Sequence, residues 1–354
     1  MKKPLLISFF ALILIVVALV SGGFYFMQEY SRQRPTDQAN EVIYELETGK
    51  SFMTIANELE KLNVITHAKL FSWFAKLKGQ RSQIKAGEYS LNTSMTPDQV
   101  LQVITSGKSI EKPFTVAEGL NIFEIADLVE KTGKASREEF LKLVRDKEFI
   151  RHVLGEDVDT LEGYLFPETY MLNKKTTIKE LIQKMVERFK IVFTEVYKNQ
   201  NDMPVPLSKK EIVILASIVE KETGASSERP TIASVFYNRL QKKMKLQTDP
   251  TIIYGKAIET GKYEINITHQ DLVAESRYNT YFIPGLPPGP IANPGKEAML
   301  AVLHPAQTEY IFFVSKNDGT HVCSSDLKAH TNAVNQFQKD ARAREGKSWR
   351  QLKK

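Results

Sequence analysis

Glu220 and Glu222 close an apolar run, Ile212 to Val219, in which eight successive residues carry no charge. The run opens on Ser208-Lys209-Lys210-Glu211, a capping box that satisfies the free amides at a helix start, and Gly224 ends it. Apolar residues on every side predict a buried helix. On a helical period Glu220 continues the face of Val213, Ala216 and Ser217, whereas Glu222 continues that of Leu215, Ile218 and Val219. A carboxyl group at the inner end of such a helix loses hydration and meets the negative end of the helix dipole, and both effects favour its protonated form. That is the state a general acid needs at neutral pH, and glycosidases prepare their acid residue in this way. The competing reading is structural: both glutamates solvate the helix end or pair with Lys221, Arg229 or Arg239. Periodicity alone does not choose between the two residues.

Polar and aromatic strings follow. A helix over about Pro230 to Gln241 carries Phe236-Tyr237-Asn238-Arg239-Leu240; then come Leu246-Gln247-Thr248-Asp249-Pro250-Thr251, Ile252-Ile253-Tyr254-Gly255 and Tyr278-Asn279-Thr280-Tyr281, read as loops. Amides, hydroxyls and tyrosine rings suit sugars, although each is also ordinary turn chemistry. From Pro284 to Gly295, eight of twelve residues are Pro or Gly, a stiff segment that walls a cleft or links two strands. The six histidines show no compact ligand spacing; His304, His321 and His330 are the one conceivable metal set, and no metal or cofactor is expected. Cys323, the single cysteine, excludes an intramolecular disulfide and reads as a packed thiol rather than a nucleophile.

These strings need a scaffold, and 354 residues with 42% hydrophobic and 25% charged supply one, which rules out wholesale disorder and low-complexity fibre. A net charge of +6 is compatible with an anionic surface and too weak to argue for nucleic acid. Pro4 to Gln28 is a stretch of 25 residues without a charge, enough to span a bilayer. Ala18-Leu19-Val20-Ser21-Gly22-Gly23 is a poor cleavage site, and Phe24-Tyr25-Phe26-Met27 suits the outer interface of a retained helix, so an anchor is expected with the bulk of the chain exported. Residues 29–40 read as a tether.

Beyond it, Val42, Tyr44 and Leu46 alternate as a strand; Gly49 turns the chain; Ser51 caps a helix with Phe52, Ile55, Leu59 and Leu62 inward. A second helix carries Leu70, Phe71, Phe74 and Leu77, Gly87 to Leu91 returns as a strand, and Thr96-Pro97-Asp98-Gln99 opens another helix. Gly49, Ile55, Ala56 and Lys61 recur seventy residues later as Gly119, Ile125, Ala126 and Lys131, which suggests two related modules in tandem. A helix over about Ile178 to Tyr197 precedes the Asn-rich stretch at Lys198 to Pro206.

Ala216 to Thr223, the Leu246 to Thr251 string, Tyr278 to Tyr281, Gly285-Leu286-Pro287-Pro288-Gly289-Pro290-Ile291 and Leu161 to Tyr170 together resemble the YceG-like family of endolytic murein transglycosylases over nearly the whole chain. The resemblance implies an α+β protein: a cytoplasmic stub and transmembrane anchor over 1–28, the tether, a LysM-like βααβ module over 41–110, a second small module or connector over 111–159, a mixed α+β catalytic domain over 160–340 and a basic tail over 341–354. It implies a single-pass protein of the cytoplasmic (inner) membrane, its catalytic domain outside, that cuts nascent peptidoglycan strands and leaves a 1,6-anhydro end. Association with wall synthases, the penicillin-binding proteins, is also implied. It selects Glu220 as the sole acid and base; the role of holding the glycan is assigned to the amides, hydroxyls and rings of Gln247, Asp249, Tyr254, Tyr278, Asn279 and Tyr281. One departure from the family pattern is Cys323-Ser324-Ser325-Asp326-Leu327, where an aromatic residue usually follows Val322. Two other functions share these features: a noncatalytic wall-binding scaffold, which would not need Glu220, and a hydrolytic muramidase using Asp249, Glu222 or Glu228 as second carboxylate.

Overall fold

The structure, a computed structural model, describes residues 3–198 and 203–339. The tail at 341–354 and the middle of the Asn-rich stretch lie outside these. The chain divides into two compact units, Met1–Pro113 with Met171–Lys175, and Phe114–Tyr170 with Thr176–Lys354.

The first unit begins with α1 (Lys3–Tyr30), whose segment Phe9–Tyr30, with mean hydropathy 2.5, is long and apolar enough to cross a membrane. From Phe9 to Phe26 it is exposed, but Met27 and Tyr30 are buried in the core of the unit. The Tyr30 ring lies 6.3 Å from that of Phe74, and its hydroxyl donates to the His67 carbonyl at 3.1 Å. Residues 29–40, read as a tether, are also bonded to this unit: the Thr36 amide donates to the Thr93 carbonyl at 3.3 Å, and the Thr93 hydroxyl to the Gln38 carbonyl at 2.6 Å.

Then follow β1 (Glu41–Leu46), α2 (Phe52–Lys61), α3 (Ala68–Leu77), β2 (Gly87–Asn92) and α4 (Pro97–Ser106). β1 and β2 pair antiparallel with Tyr44 opposite Tyr89, so the strand alternation turns Tyr44 and Leu46 onto α2 and α3. Ser51 caps α2, and the Thr96–Gln99 capping box opens α4.

β3 (Lys112–Thr115) leads to α5 (Ile122–Lys131), α6 (Arg137–Leu143) and α7 (Lys147–Leu154); β4 (Thr169–Leu172) pairs with β3. α8 (Ile178–Tyr197) has the bounds read from the sequence. α9 (Lys209–Glu222) is buried along its middle, from Ile212 to Val219, as its uncharged run requires, and α10 (Arg229–Gln241) packs on it.

Asp249 and Tyr254 lie on a helix, α11 (Asp249–Thr260), not in a loop. Asp249-Pro250 is a helix start, since proline tolerates the first turn, and the β-branched residues after it obscure the period. α12 (His269–Val273) is short, and the Pro/Gly segment runs into α13 (Lys296–Leu303) rather than joining two strands. β5 (Phe312–Ser315) and β6 (His321–Ser324) pair antiparallel, and α14 (Leu327–Val334) follows. Cys323 sits opposite Phe313 in that ladder, so the atypical segment begins as the regular end of β6, and its Asp326 caps α14.

Candidate active site

α9 presents Val213, Ser217 and Glu220 on one face, and that face clasps the Pro/Gly segment. The Ile291 amide donates to the Ser217 hydroxyl at 3.0 Å, and the Gly295 amide donates to Glu220 Oε2 at 3.0 Å. Gly163, with φ +86°, lies so near Pro290 and Val213 that any Cβ there would collide with both. Side chains three residues apart on one helix therefore hold amides four residues apart on the loop.

The Glu220 side chain is 5% exposed, and its Oε1 lies 2.7 Å from Arg229 Nη2. Arg229, at the start of α10 and itself buried, also reaches Glu118 Oε2 at 3.4 Å. Burial is the largest influence on Glu220 and raises its pKa; the Arg229 charge and the Gly295 amide oppose the rise, while the Glu118 charge assists it. Gly295 caps the start of α13, so the positive end of that helix counters the negative end of α9. Gly119 completes the wall: a Cβ there would sit 3.4 Å from Glu220 Cγ. Lys221 donates to the Gly119 carbonyl at 3.1 Å and lies 5.5 Å from the centre of the Tyr263 ring.

A buried lattice supports this wall. Glu162 accepts from the Ile122 amide at 2.9 Å and from Asn293 Nδ2 at 3.0 Å, and burial pushes its carboxyl up to about 8. Asn293 Oδ1 accepts from the Leu165 amide, and the Asn293 carbonyl from the Gly119 amide, both at 2.9 Å. Residues 119–122, 162–165 and 291–295 are thereby fixed to one another.

Glu222 faces elsewhere. Its Oε1 accepts from the Thr248 hydroxyl, and burial pushes it up to about 7, with Thr248 opposing the rise and the Asp249 charge assisting it. Around this anchor the structure gathers part of the expected glycan-holding set. Gln247 and Asp249 are exposed; the Gln247 amide donates to the Thr280 carbonyl at 3.2 Å, and Asp249 accepts from the Tyr281 hydroxyl at 2.7 Å. Tyr278 is half-buried, its ring 5.1 Å from that of Tyr254.

Tyr254 and Asn279 are buried. The Asn279 amide donates to the carbonyls of Asp271, Leu272 and Ala274, while its Oδ1 accepts from the Tyr281 amide at 2.9 Å. Both residues shape the loop that carries Tyr278 and Tyr281.

The histidines of the conceivable metal set are engaged separately. His321 Nδ1 lies 2.8 Å from Glu228 Oε2, His330 stacks on Phe312 at 4.7 Å, and His304 follows the end of α13. Burial pushes the Cys323 thiol up to about 11, which suppresses the thiolate. Glu118 and Tyr263 had no individual signal in the sequence; Gly119 stood out in the offset-70 repeat, and Glu162, Asn293 and Gly295 stood inside strings already singled out.

The model of the YceG-like family matches residues 44–336. The chain belongs to the YceG-like family. Over 334 residues it is 35% identical to a Bacillus subtilis (strain 168) protein named endolytic murein transglycosylase, covering 90% of this chain and 91% of that one. A Streptococcus pneumoniae (strain ATCC BAA-255 / R6) protein of the same name is 31% identical over 350 residues, which are 88% of this chain and 61% of that longer relative. Among solved structures, a yceG-like protein of Listeria monocytogenes superposes with a TM-score of 0.55 at 32% identity, covering 83% of this chain and 99% of that one.

Proposed function

We propose that this YceG-like chain is a membrane-anchored lytic transglycosylase that cuts peptidoglycan strands internally, with Glu220 as acid and then base. The observation that carries the reading is the Glu220 carboxyl group: 5% exposed, raised in pKa by burial, and held in place by Arg229 and the Gly295 amide. The names of the relatives supply the substrate class.

Protonated Glu220 gives its proton to the bridging oxygen between muramic acid and the next sugar, and the bond from C1 to that oxygen breaks. The C6 hydroxyl oxygen of the same muramic acid bonds to C1, and the proton it releases returns to Glu220. No water is consumed, so a second carboxylate to activate one is unnecessary. Arg229 and the Gly295 amide stabilise the carboxylate during the interval, and the attack gains from being intramolecular.

The carboxylates that a hydrolytic mechanism would recruit are engaged elsewhere: Glu222 with Thr248, Glu228 with His321 and Asp249 with Tyr281. Gln247, Asp249, Tyr278 and Tyr281 contact the glycan, and Tyr254 and Asn279 position them. The βααβ part of the first unit acts as a LysM-like module, and α1 is a retained single span with both units outside the cytoplasm.

The test uses the full chain in detergent with uncrosslinked glycan strands, read by mass spectrometry. The expected fragments are one water lighter than hydrolysed sugar. Glu220→Gln loses about a thousandfold in rate, within the range general acid–base groups contribute, while its melting curve stays near that of the parent. Fragments of hydrolysed mass would overturn the intramolecular step, and an undiminished rate in Glu220→Gln would overturn the choice of residue.

A further inference from the structure

The last turn of α1 leaves no spacer between the apolar run and the first folded unit. The uncharged stretch reaches Gln28, yet Met27 and Tyr30 are already in the core of the unit. About 20 residues cross the hydrocarbon layer, so a span that starts near Pro4 emerges near Phe24, and Met27 lies about 5 Å further on at a rise of about 1.5 Å per residue. That depth belongs to the headgroups.

α3 packs against this turn, through the Tyr30–Phe74 ring contact and the bond from the Tyr30 hydroxyl to the His67 carbonyl. The face of α3 that turns away from the core carries Trp73 and Leu77, which are 66% and 65% exposed, with Lys69 and Lys76 exposed beside them and no acidic residue on the helix. A tryptophan at headgroup level, an aliphatic side chain and lysines are the composition of a helix lying in a membrane interface.

We propose that this face of α3 is a second membrane contact, with Trp73 among the lipid headgroups and Lys69 and Lys76 against anionic lipid. The occupant is the bilayer that α1 crosses, so the inference rests on α1 being a retained span. Its consequence is orientational: a single span leaves the first unit free to tilt, and a second contact on the same unit removes that freedom.

The chain has two tryptophans, Trp73 and Trp349. Trp349→Phe therefore makes Trp73 the sole indole, and the full-length variant is reconstituted into phosphatidylcholine–phosphatidylglycerol vesicles. Headgroup-nitroxide lipid is expected to lower Trp73 emission roughly twofold or more relative to unlabelled vesicles. Adding Lys69→Glu and Lys76→Glu should remove most of that quenching while the protein still floats with the vesicles after an alkaline wash. Full emission in floating protein, with Trp73 open to aqueous iodide, would overturn the contact alone. Shielding from iodide without nitroxide quenching would overturn it too, assigning the face to protein. Failure to float would overturn the span and the contact together.

Discussion

The turns at Gly49 and Gly119 are alike in backbone and unlike in surroundings. Both glycines have positive φ, +89° and +76°, and both lead into ten-residue helices, α2 and α5, that begin seventy residues apart. Ile55, Ala56 and Leu59 are buried along α2, and Ile125, Ala126 and Val129 along α5. Around Gly49 there is open space, whereas Gly119 abuts Glu220 and its carbonyl takes Lys221. The same strand–turn–helix pattern builds a core in both places, and in the second its turn also abuts the carboxyl-bearing side chain proposed as the acid. Packing demands set the helix; contacts made by the turn decide whether it serves chemistry.

The sharpest way to break this comparison is to put the same methyl group at both turns. Gly119→Ala and Gly49→Ala each force a left-handed alanine, at a cost of about 1–2 kcal/mol. Only at Gly119 does the new methyl touch Glu220, at 3.4 Å, so that relief of the left-handed strain shifts the wall beside that side chain; Gly119→Ala should lose about tenfold in glycan cleavage, on the scale of a misplaced catalytic group, while Gly49→Ala keeps its rate. Equal rates in the two variants would mean that the Gly119 wall does not position Glu220.

A smaller effect sharpens the electrostatic half. In the proposed mechanism cleavage requires protonated Glu220, so the rate is expected to fall as pH rises through its pKa. Arg229 lowers that pKa and Glu118 raises it. Arg229→Met should therefore move the fall to higher pH, and Glu118→Gln should move it to lower pH. Near the Gly49 turn, Glu58 is bound to Tyr44 and Lys50, and Glu58→Gln should leave the profile where it was. A pH–rate series on the three variants separates these outcomes, and shifts of the same sign for Arg229→Met and Glu118→Gln would contradict the arrangement.

The smallest effect lies in the caps. Ser51 accepts one helix amide, from Thr54, and Asn121 accepts two, from Phe123 and Glu124. Urea unfolding should show about 1 kcal/mol lost in Ser51→Ala and somewhat more in Asn121→Ala. A larger loss at Ser51 would reverse the order of the two turns.

Local patterns made much of this legible. Ser51, Thr96 and Ser208 announced their helices because a cap acts over three residues, and α9 announced its burial because an uncharged run has no solvent face to offer. Glu220 could be nominated with Glu222 from spacing, but the difference between them lies in partners far along the chain. Gly119 is 101 positions upstream of Glu220 and Gly295 is 75 downstream. Asn279 misled because a loop amide suited to sugars is equally suited to tying its own loop, and only burial distinguishes the two uses. α11 was obscured for a simpler reason: Thr251-Ile252-Ile253-Tyr254 has strand-like composition, and packing on α9 overrides it.

The way α1 ends also decides how this protein can be divided. Tyr30 and Met27 share a core with Ile55 and Phe71, so the apolar helix is not a detachable handle. A soluble version begun at Glu41 would leave two vacancies in that core, and emptying such sites costs about 2–5 kcal/mol each, a large share of what holds a small domain together. Shedding by proteolysis meets the same obstacle, because a cut in the 31–40 stretch leaves the severed stem still plugged into the body it was meant to release.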